Sequence, residues 1–187
     1  MSYSVRFRAR MIKKPVQFDH FITKNGAYVD IQYLADHKDV VSIIADWIYD
    51  EWFYLYPEMI LQDVVSFLRE RMNKEQLPLT LVAFEAGEPV GTVSLKMFDM
   101  ETRGDLSHWL TSLYVAKPWR RRKIGSRLAE TAEEKAADLG VCKLFLFTTD
   151  ASLPGQFYAK LGWIVKETAI YHSYPVIIME KDLCNKR

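Results

Sequence analysis

The chain has 187 residues, 49% hydrophobic, 13% aromatic and 26% charged, which is enough apolar material for one packed domain and rules out a disordered chain. Twenty-five lysines and arginines against 24 aspartates and glutamates leave a net charge of +1, which argues against a general nucleic-acid or membrane-surface binder. No uncharged apolar run approaches the roughly 18 residues of a membrane span, and no apolar h-region follows the basic N-terminus. Cys142 and Cys184 are too few for a disulfide framework and lack metal-ligand spacing, and the four histidines are scattered, so no metal is expected. The expectation is a soluble cytoplasmic domain.

Residues 1–27 stand apart. Arg6, Arg8, Arg10, Lys13 and Lys14 precede the first acid, Asp19, and alternate with Tyr3, Val5, Phe7, Ala9 and Met11. This pattern suits an edge strand with one basic face or a loosely ordered basic arm, which either binds phosphate or is a solvated tail. The main domain is expected over residues 28–187. Alternation over 28–34 predicts a strand, and Ala35-Asp36 the start of a helix. Val40, Val41, Ile44, Trp47, Ile48 and Leu55 fall at helical spacing and predict one amphipathic helix stopping near Pro57. A second helix is predicted over 61–74, with Val64, Val65, Leu68 and Met72 inward and Pro78 beyond its end.

Strands follow over 80–84 and 90–97, joined by a hairpin-type connection at 85–89, and then a nearly charge-free central strand over 106–115. Residues 123–139 read as a helix with Ile124, Leu128, Thr131 and Ala132 on one face and Gly140 as its stop. A buried strand over 143–148, a short helix over 153–161 closed by Gly162, and strands over 163–168 and 176–181 complete the order. The strand–helix–strand unit over 106–148 implies parallel neighbours joined right-handedly, whereas the hairpins around it are antiparallel. The fold class is therefore α/β, with a mixed, mostly antiparallel sheet of about seven strands.

One turn offers an anion site: Pro118-Trp119-Arg120-Arg121-Arg122-Lys123-Ile124-Gly125-Ser126. A helix N-terminus presents unpaired N–H groups and partial positive charge. Four consecutive cations oppose that dipole at a cost of about 0.3–1 kcal/mol each, so the turn either awaits an anion or is a solvated basic run. Gly125, without a Cβ, lets a ligand approach the backbone closely.

Leu113-Tyr114-Val115, the run from Arg120 to Gly125, and Phe157-Tyr158-Ala159-Lys160-Leu161-Gly162-Trp163 together resemble the GCN5-related N-acetyltransferase (GNAT) superfamily, over residues 35–183. Its acetyl-CoA signature is Arg or Gln, two residues, Gly, one residue, then Gly or Ala, at the start of a helix. Arg120 takes the first place, Arg121 and Arg122 the spacers, Ile124 the variable place and Gly125 the last, while Lys123 replaces the first glycine.

The resemblance implies a sheet splayed between the strands over 106–115 and 143–148. The pantetheine arm would lie in the gap against Leu113, Tyr114 and Val115, and the pyrophosphate on Arg120, Arg121, Arg122, Lys123, Ile124, Gly125 and Ser126. It implies direct attack of an amine on the acetyl-CoA thioester, with Tyr158 protonating the departing thiolate. A tyrosine of pKa about 10 is a credible donor to a thiolate whose acid has pKa about 8.5. Thr149 or Asp150 would touch the pantetheine amide, and Asp150 equally suits a helix N-cap. No base stands out. His108 is the one side chain on its strand that titrates near neutral pH, but alternation puts it on the face opposite Thr111, Leu113 and Val115.

The amine pocket is expected within residues 46–58. Glu51 follows Ile44, Trp47 and Ile48 onto the apolar face, where an acid must be paired or line a cleft, so Glu51 is a candidate for holding a cationic amine. Trp52, Tyr54 and Tyr56 would flank the cation. The expected reaction is acetylation of a small cationic amine. The alternatives are a protein N-terminal or lysine acceptor and a non-catalytic acyl-CoA binder; a nucleic-acid module fits the charge balance least. A homodimer through the aromatic C-terminal strand, with Tyr171 and Tyr174, is the expected assembly if there is one.

Overall fold

A computed structural model describes residues 19–23, 26–149 and 154–184. Most of the expected basic arm and the candidate Asp150 lie outside the described residues. Eight strands form one sheet: β1 (Asp19–Ile22), β2 (Tyr28–Tyr33), β3 (Leu79–Glu85), β4 (Glu88–Lys96), β5 (Trp109–Val115), β6 (Lys143–Thr148), β7 (Ile164–Tyr171) and β8 (Tyr174–Asp182). Their order is β1-β2-β3-β4-β5-β6-β8-β7, antiparallel throughout except for β5 beside β6. The strand beyond the seven expected is β1, which pairs with β2 from within the stretch read as an arm.

The helices are α1 (Val41–Trp52), α2 (Leu61–Glu70), α3 (Ile124–Asp138) and α4 (Pro154–Lys160). Strand β3 shows why both faces of the sheet are covered. Leu79, Leu81 and Ala83 pack into the cluster holding Leu128, Ala129 and Ala132 of α3, while the alternate Val82 and Phe84 join Ile44, Val64 and Leu68 of α1 and α2. On α3, Glu133 is buried. It accepts hydrogen bonds from Trp163 Nε1 at 2.9 Å and from Lys181 Nζ, which also donates to the Leu161 carbonyl.

Three departures from the sequence expectations shape the site. The central strand begins at Trp109 rather than 106, because His108 takes a left-handed φ of 69° and the Leu106 carbonyl accepts the Trp109 indole N–H at 3.1 Å. Helix α2 ends at Glu70 rather than Lys74, because the Asn73 amide donates to the Glu70 carbonyl at 2.9 Å and the Pro78 carbonyl at 2.8 Å, drawing the chain out of the helix. Helix α1 ends at Trp52 and passes through one tighter turn, Phe53–Leu55, before Pro57.

The two cysteines, too few for a framework, nevertheless form a single disulfide. Lys143 pairs with Asp182 in the β6–β8 ladder, and the Leu183 N–H donates to the Cys142 carbonyl at 2.8 Å, which brings Cys142 and Cys184 together at the end of the ladder. A bond closing 42 residues of separation stabilises the fold by about 2–4 kcal/mol through the unfolded chain.

Candidate active site

The basic turn runs through one tight turn, Lys117–Trp119, into α3. Arg121 and Lys123 have left-handed φ values of 63° and 67°. Lys123 therefore performs the backbone task for which glycine is the unstrained residue, and it presents a charge there as well. The first hydrogen bond of the helix runs from the Arg127 N–H to the Lys123 carbonyl at 3.1 Å, so the N–H groups from Ile124 to Ser126 have no acceptor within the helix. No acid stands in the first turn and no side chain caps it. Ile124 is buried in the core and anchors the start of the helix.

The four cations do not act alike. Arg120 folds back over the end of β5: its Nε donates to the Val115 carbonyl at 2.9 Å, its guanidinium lies 5.4 Å from the Tyr114 ring centroid, and Nη2 is 3.5 Å from Glu51 Oε2. Arg122 donates to the Pro118 carbonyl at 3.2 Å and covers the Trp119 ring. Arg121 and Lys123 are exposed. A methyl group on Gly125 would meet Val115 Cγ2 at 3.5 Å and Phe157 Cζ at 3.6 Å, so the turn, β5 and α4 converge.

Beside this turn the sheet opens. Strands β5 and β6 share one register pair, Trp109 with Phe145, and diverge beyond it. Strand β5 is also bulged: Thr92 pairs with Tyr114 but Ser94 with Thr111, and Ser112 within the bulge has a φ of 53°. The extra residue bends β5 where it borders the gap.

A cavity of about 750 Å³ fills the opening. Its walls include Glu51 to Tyr56 from the end of α1 and the turn that follows, Glu70 and Arg71 at the end of α2, Lys96 to Asp99 from the end of β4, Leu110 to Leu113 of β5, Phe147 to Thr149 at the end of β6, and Tyr158. The Tyr54 hydroxyl shares a hydrogen bond with Thr149 Oγ1 at 3.2 Å, and its ring meets Tyr174 edge-on at 5.3 Å. Tyr158 packs partly buried against the core, and burial pushes its hydroxyl above the ordinary tyrosine range. Its backbone is fixed by the Trp163 N–H, which donates to the Tyr158 carbonyl at 3.1 Å, and the Trp163 indole is anchored in turn on Glu133.

The structure brings Leu113, Tyr158, Glu51 and Trp52 to the one cavity. Glu51 lines the cavity and lies beside Arg120, half-exposed at the rim because α1 ends just after it. Trp52 meets the edge of Tyr114 at 6.4 Å. His108 is no wall of the cavity; its ring lies beside the Ser107 hydroxyl at 3.3 Å.

The sequence reading passed over two features. Tyr56 meets the Tyr171 ring edge-on at 6.2 Å, and the Tyr171 hydroxyl donates to Glu101 Oε2 at 3.1 Å, beside the cavity that Tyr56 and Glu101 both line. Arg71 reaches the cavity from the end of α2, and nothing in its local sequence marks it as a cavity residue. Among the described residues no cluster of potential ligands holds a metal, and no helix is long and apolar enough to cross a membrane.

Residues 41–163, more than half of the chain, match the acetyltransferase (GNAT) family. No curated protein matches the chain. Among solved structures, an aminoglycoside 6'-N-acetyltransferase complexed with coenzyme A is 21% identical, with 84% of this chain and 98% of that one covered and a TM-score of 0.66. The GNAT domain of S. lividans PAT is 16% identical, covering 91% and 99% with a TM-score of 0.68. YncA from Salmonella typhimurium, solved with its cofactor acetyl-CoA, is 13% identical, covering 84% and 95% with a TM-score of 0.64. At these identities the likeness establishes the fold. The family match, the sheet splayed at one parallel pair and the uncapped helix after a basic turn lead to one conclusion: the chain belongs to the acetyltransferase (GNAT) family and is an N-acetyltransferase.

Proposed function

We propose that the protein transfers the acetyl group of acetyl-CoA directly to the primary amine of a small cationic molecule. The observation that carries this reading is the cavity: Tyr158, the bulged strand β5 and the aromatic residues from the end of α1 line one space of about 750 Å³, with Tyr54 hydrogen-bonded to Thr149 at its edge. A concave space of that volume, walled by aromatic side chains and a few polar groups, suits a compact ligand.

The residues present fit the co-substrate. The free N–H groups of Ile124, Gly125 and Ser126, with the exposed Arg121 and Lys123, suit a diphosphate. Beyond Trp109, β5 turns toward the gap an edge with no ladder partner on β6, where Leu113, Tyr114 and Val115 would hold an extended amide-bearing arm. The Val115 carbonyl already accepts from Arg120, so Leu113 is the better-placed acceptor of the pair. The thioester supplies the acetyl group and a thiolate leaving group.

Tyr158 keeps its proton throughout the working pH range, gives it to the departing sulfur and regains one from the acylated nitrogen, which sheds a proton as it becomes the amide. The acceptor arrives as an ammonium, held between Trp52, Tyr54 and Tyr56 with Glu51 at the rim. Its proton passes to Glu101, an exposed carboxylate that lines the same cavity and returns it to solvent. The test is thiol release from acetyl-CoA with polyamines, aminoglycosides, amino acids and lysine-bearing peptides. Turnover is expected with a small amine, and turnover with peptides alone would overturn the reading.

A further inference from the structure

Arg71 is the charge in the cavity that the transfer reaction leaves unexplained. It occupies the C-terminal cap of α2, and its part-buried side chain lines the cavity beside the β5 bulge. Nη1 donates to two hydroxyls, Ser94 Oγ and Ser112 Oγ, both at 3.4 Å. Among the described residues the guanidinium forms no ion pair. Asp99, the acid that acts on it most strongly, is engaged by Lys96 at 2.7 Å, and Glu70, the next, is exposed and also lines the cavity. Burial works against the charge, lowering the affinity of Arg71 for its proton. The negative end of α2 and two long hydroxyl contacts are weak compensation for a guanidinium withdrawn from water.

A guanidinium presents five donors in a planar fork that matches a carboxylate. Here two donor positions are lightly used and the others face a ligand-sized space. Lys96 and Asp99 are closed on each other, so neither occupies the open donors of Arg71. Acids also line the same cavity: Glu70 beside Arg71 in sequence, Glu101, and Glu51 at the rim. One enclosure thus offers separate places for a cation and for a compact anion.

We propose that Arg71 holds a carboxylate of the acceptor, so that the small amine acetylated in this cavity is zwitterionic, of the amino-acid class. Ser94 and Ser112 position the guanidinium, and the carboxylate takes the donors left open. This rests on the acetyl-transfer reading and narrows its acceptor.

The experiment measures kcat/KM with the full-length enzyme and acetyl-CoA for matched acceptors with and without the carboxylate: lysine and cadaverine, ornithine and putrescine, phenylalanine and phenethylamine, leucine and isoamylamine. Calorimetry on the coenzyme A-loaded enzyme reads acceptor binding directly. The expected result is at least a 100-fold preference for the amino acid in one pair, carried mainly by KM, which shrinks at least tenfold in Arg71→Gln and is partly restored in Arg71→Lys. Equal turnover within every pair, no binding of any amino acid to the loaded enzyme, or an undiminished preference in Arg71→Gln would overturn the inference. If Arg71→Gln does not fold, the wild-type ratios and the Arg71→Lys ratio decide it. Failure of acetyl-CoA itself to bind would defeat the transfer reading too, and that result is distinct from amines being acetylated without a carboxylate preference.

Discussion

Two charged side chains withdrawn from water sit on opposite faces of the sheet, and their surroundings differ. Glu133, on the α3 face, is enclosed by partners: the Trp163 indole, Lys181, and through Lys181 the Leu161 carbonyl. Arg71, on the α1–α2 side, has two distant hydroxyls and an open cavity. A buried charge whose hydrogen-bonding capacity is filled by the protein supports architecture. One whose capacity is left open has been placed for something the protein meets later.

The contrast is broken most directly through stability. Glu133→Ala leaves the Lys181 ammonium without its counter-ion and the Trp163 indole N–H without an acceptor in a closed region, and is expected to cost about 3–5 kcal/mol in denaturant unfolding. Arg71→Gln is expected to change stability by less than about 1 kcal/mol, since it removes an uncompensated charge. Equal losses would erase the distinction. Next in size is Tyr158→Phe, which is expected to lower kcat about 100-fold in a thiol-release assay while leaving acetyl-CoA affinity, read by calorimetry, nearly intact.

Gly91→Ala tests the backbone that frames the cavity. A Cβ there would lie 2.8 Å from the Tyr114 carbonyl oxygen, forcing β4 from β5 at an expected cost of about 1–3 kcal/mol in thermal or denaturant melts. A separate effect appears in alkali. Burial raises Tyr158, Tyr56 and Tyr171 above the ordinary 10.0, Tyr171 to about 12. The unfolded chain therefore loses these protons first. Their contribution to stability is complete below pH about 10 and declines as pH rises from there through 12, which melting temperatures across that window would show.

Local pattern made much of this fold readable. The alternation of β3, the apolar spacing of α1 and α3 and the strand–helix–strand unit lead to the sheet, because each repeats the geometry of its own element. The turn from Arg120 to Ser126 and the motif around Tyr158 are contiguous, so they are legible in a single line of sequence. What escaped depends on chain far away. Arg71 reads as a residue inside a helix until Asn73 is seen to bond Pro78. Cys142 and Cys184 read as unrelated until β6 and β8 are neighbours. Glu51 keeps helical phase with Ile44 and Ile48, yet α1 is nearly finished there, and phase alone does not bury a terminal turn. Lys123 breaks the glycine pattern because the signature encodes a backbone angle, and lysine reaches it.

The single pair between Trp109 and Phe145 has a mechanical consequence. The sheet is two leaves on one hinge point, β1 to β5 on one side and β6, β8 and β7 on the other, and the second leaf is riveted by its own sulfur bridge. An extended molecule inserted between the leaves would act as a missing rung, splinting them together. Amide hydrogens along the inner margin of β5 would then exchange slowly where they had exchanged fast. A second molecule would find its chamber walled only after the first had arrived, which favours a compulsory order of entry.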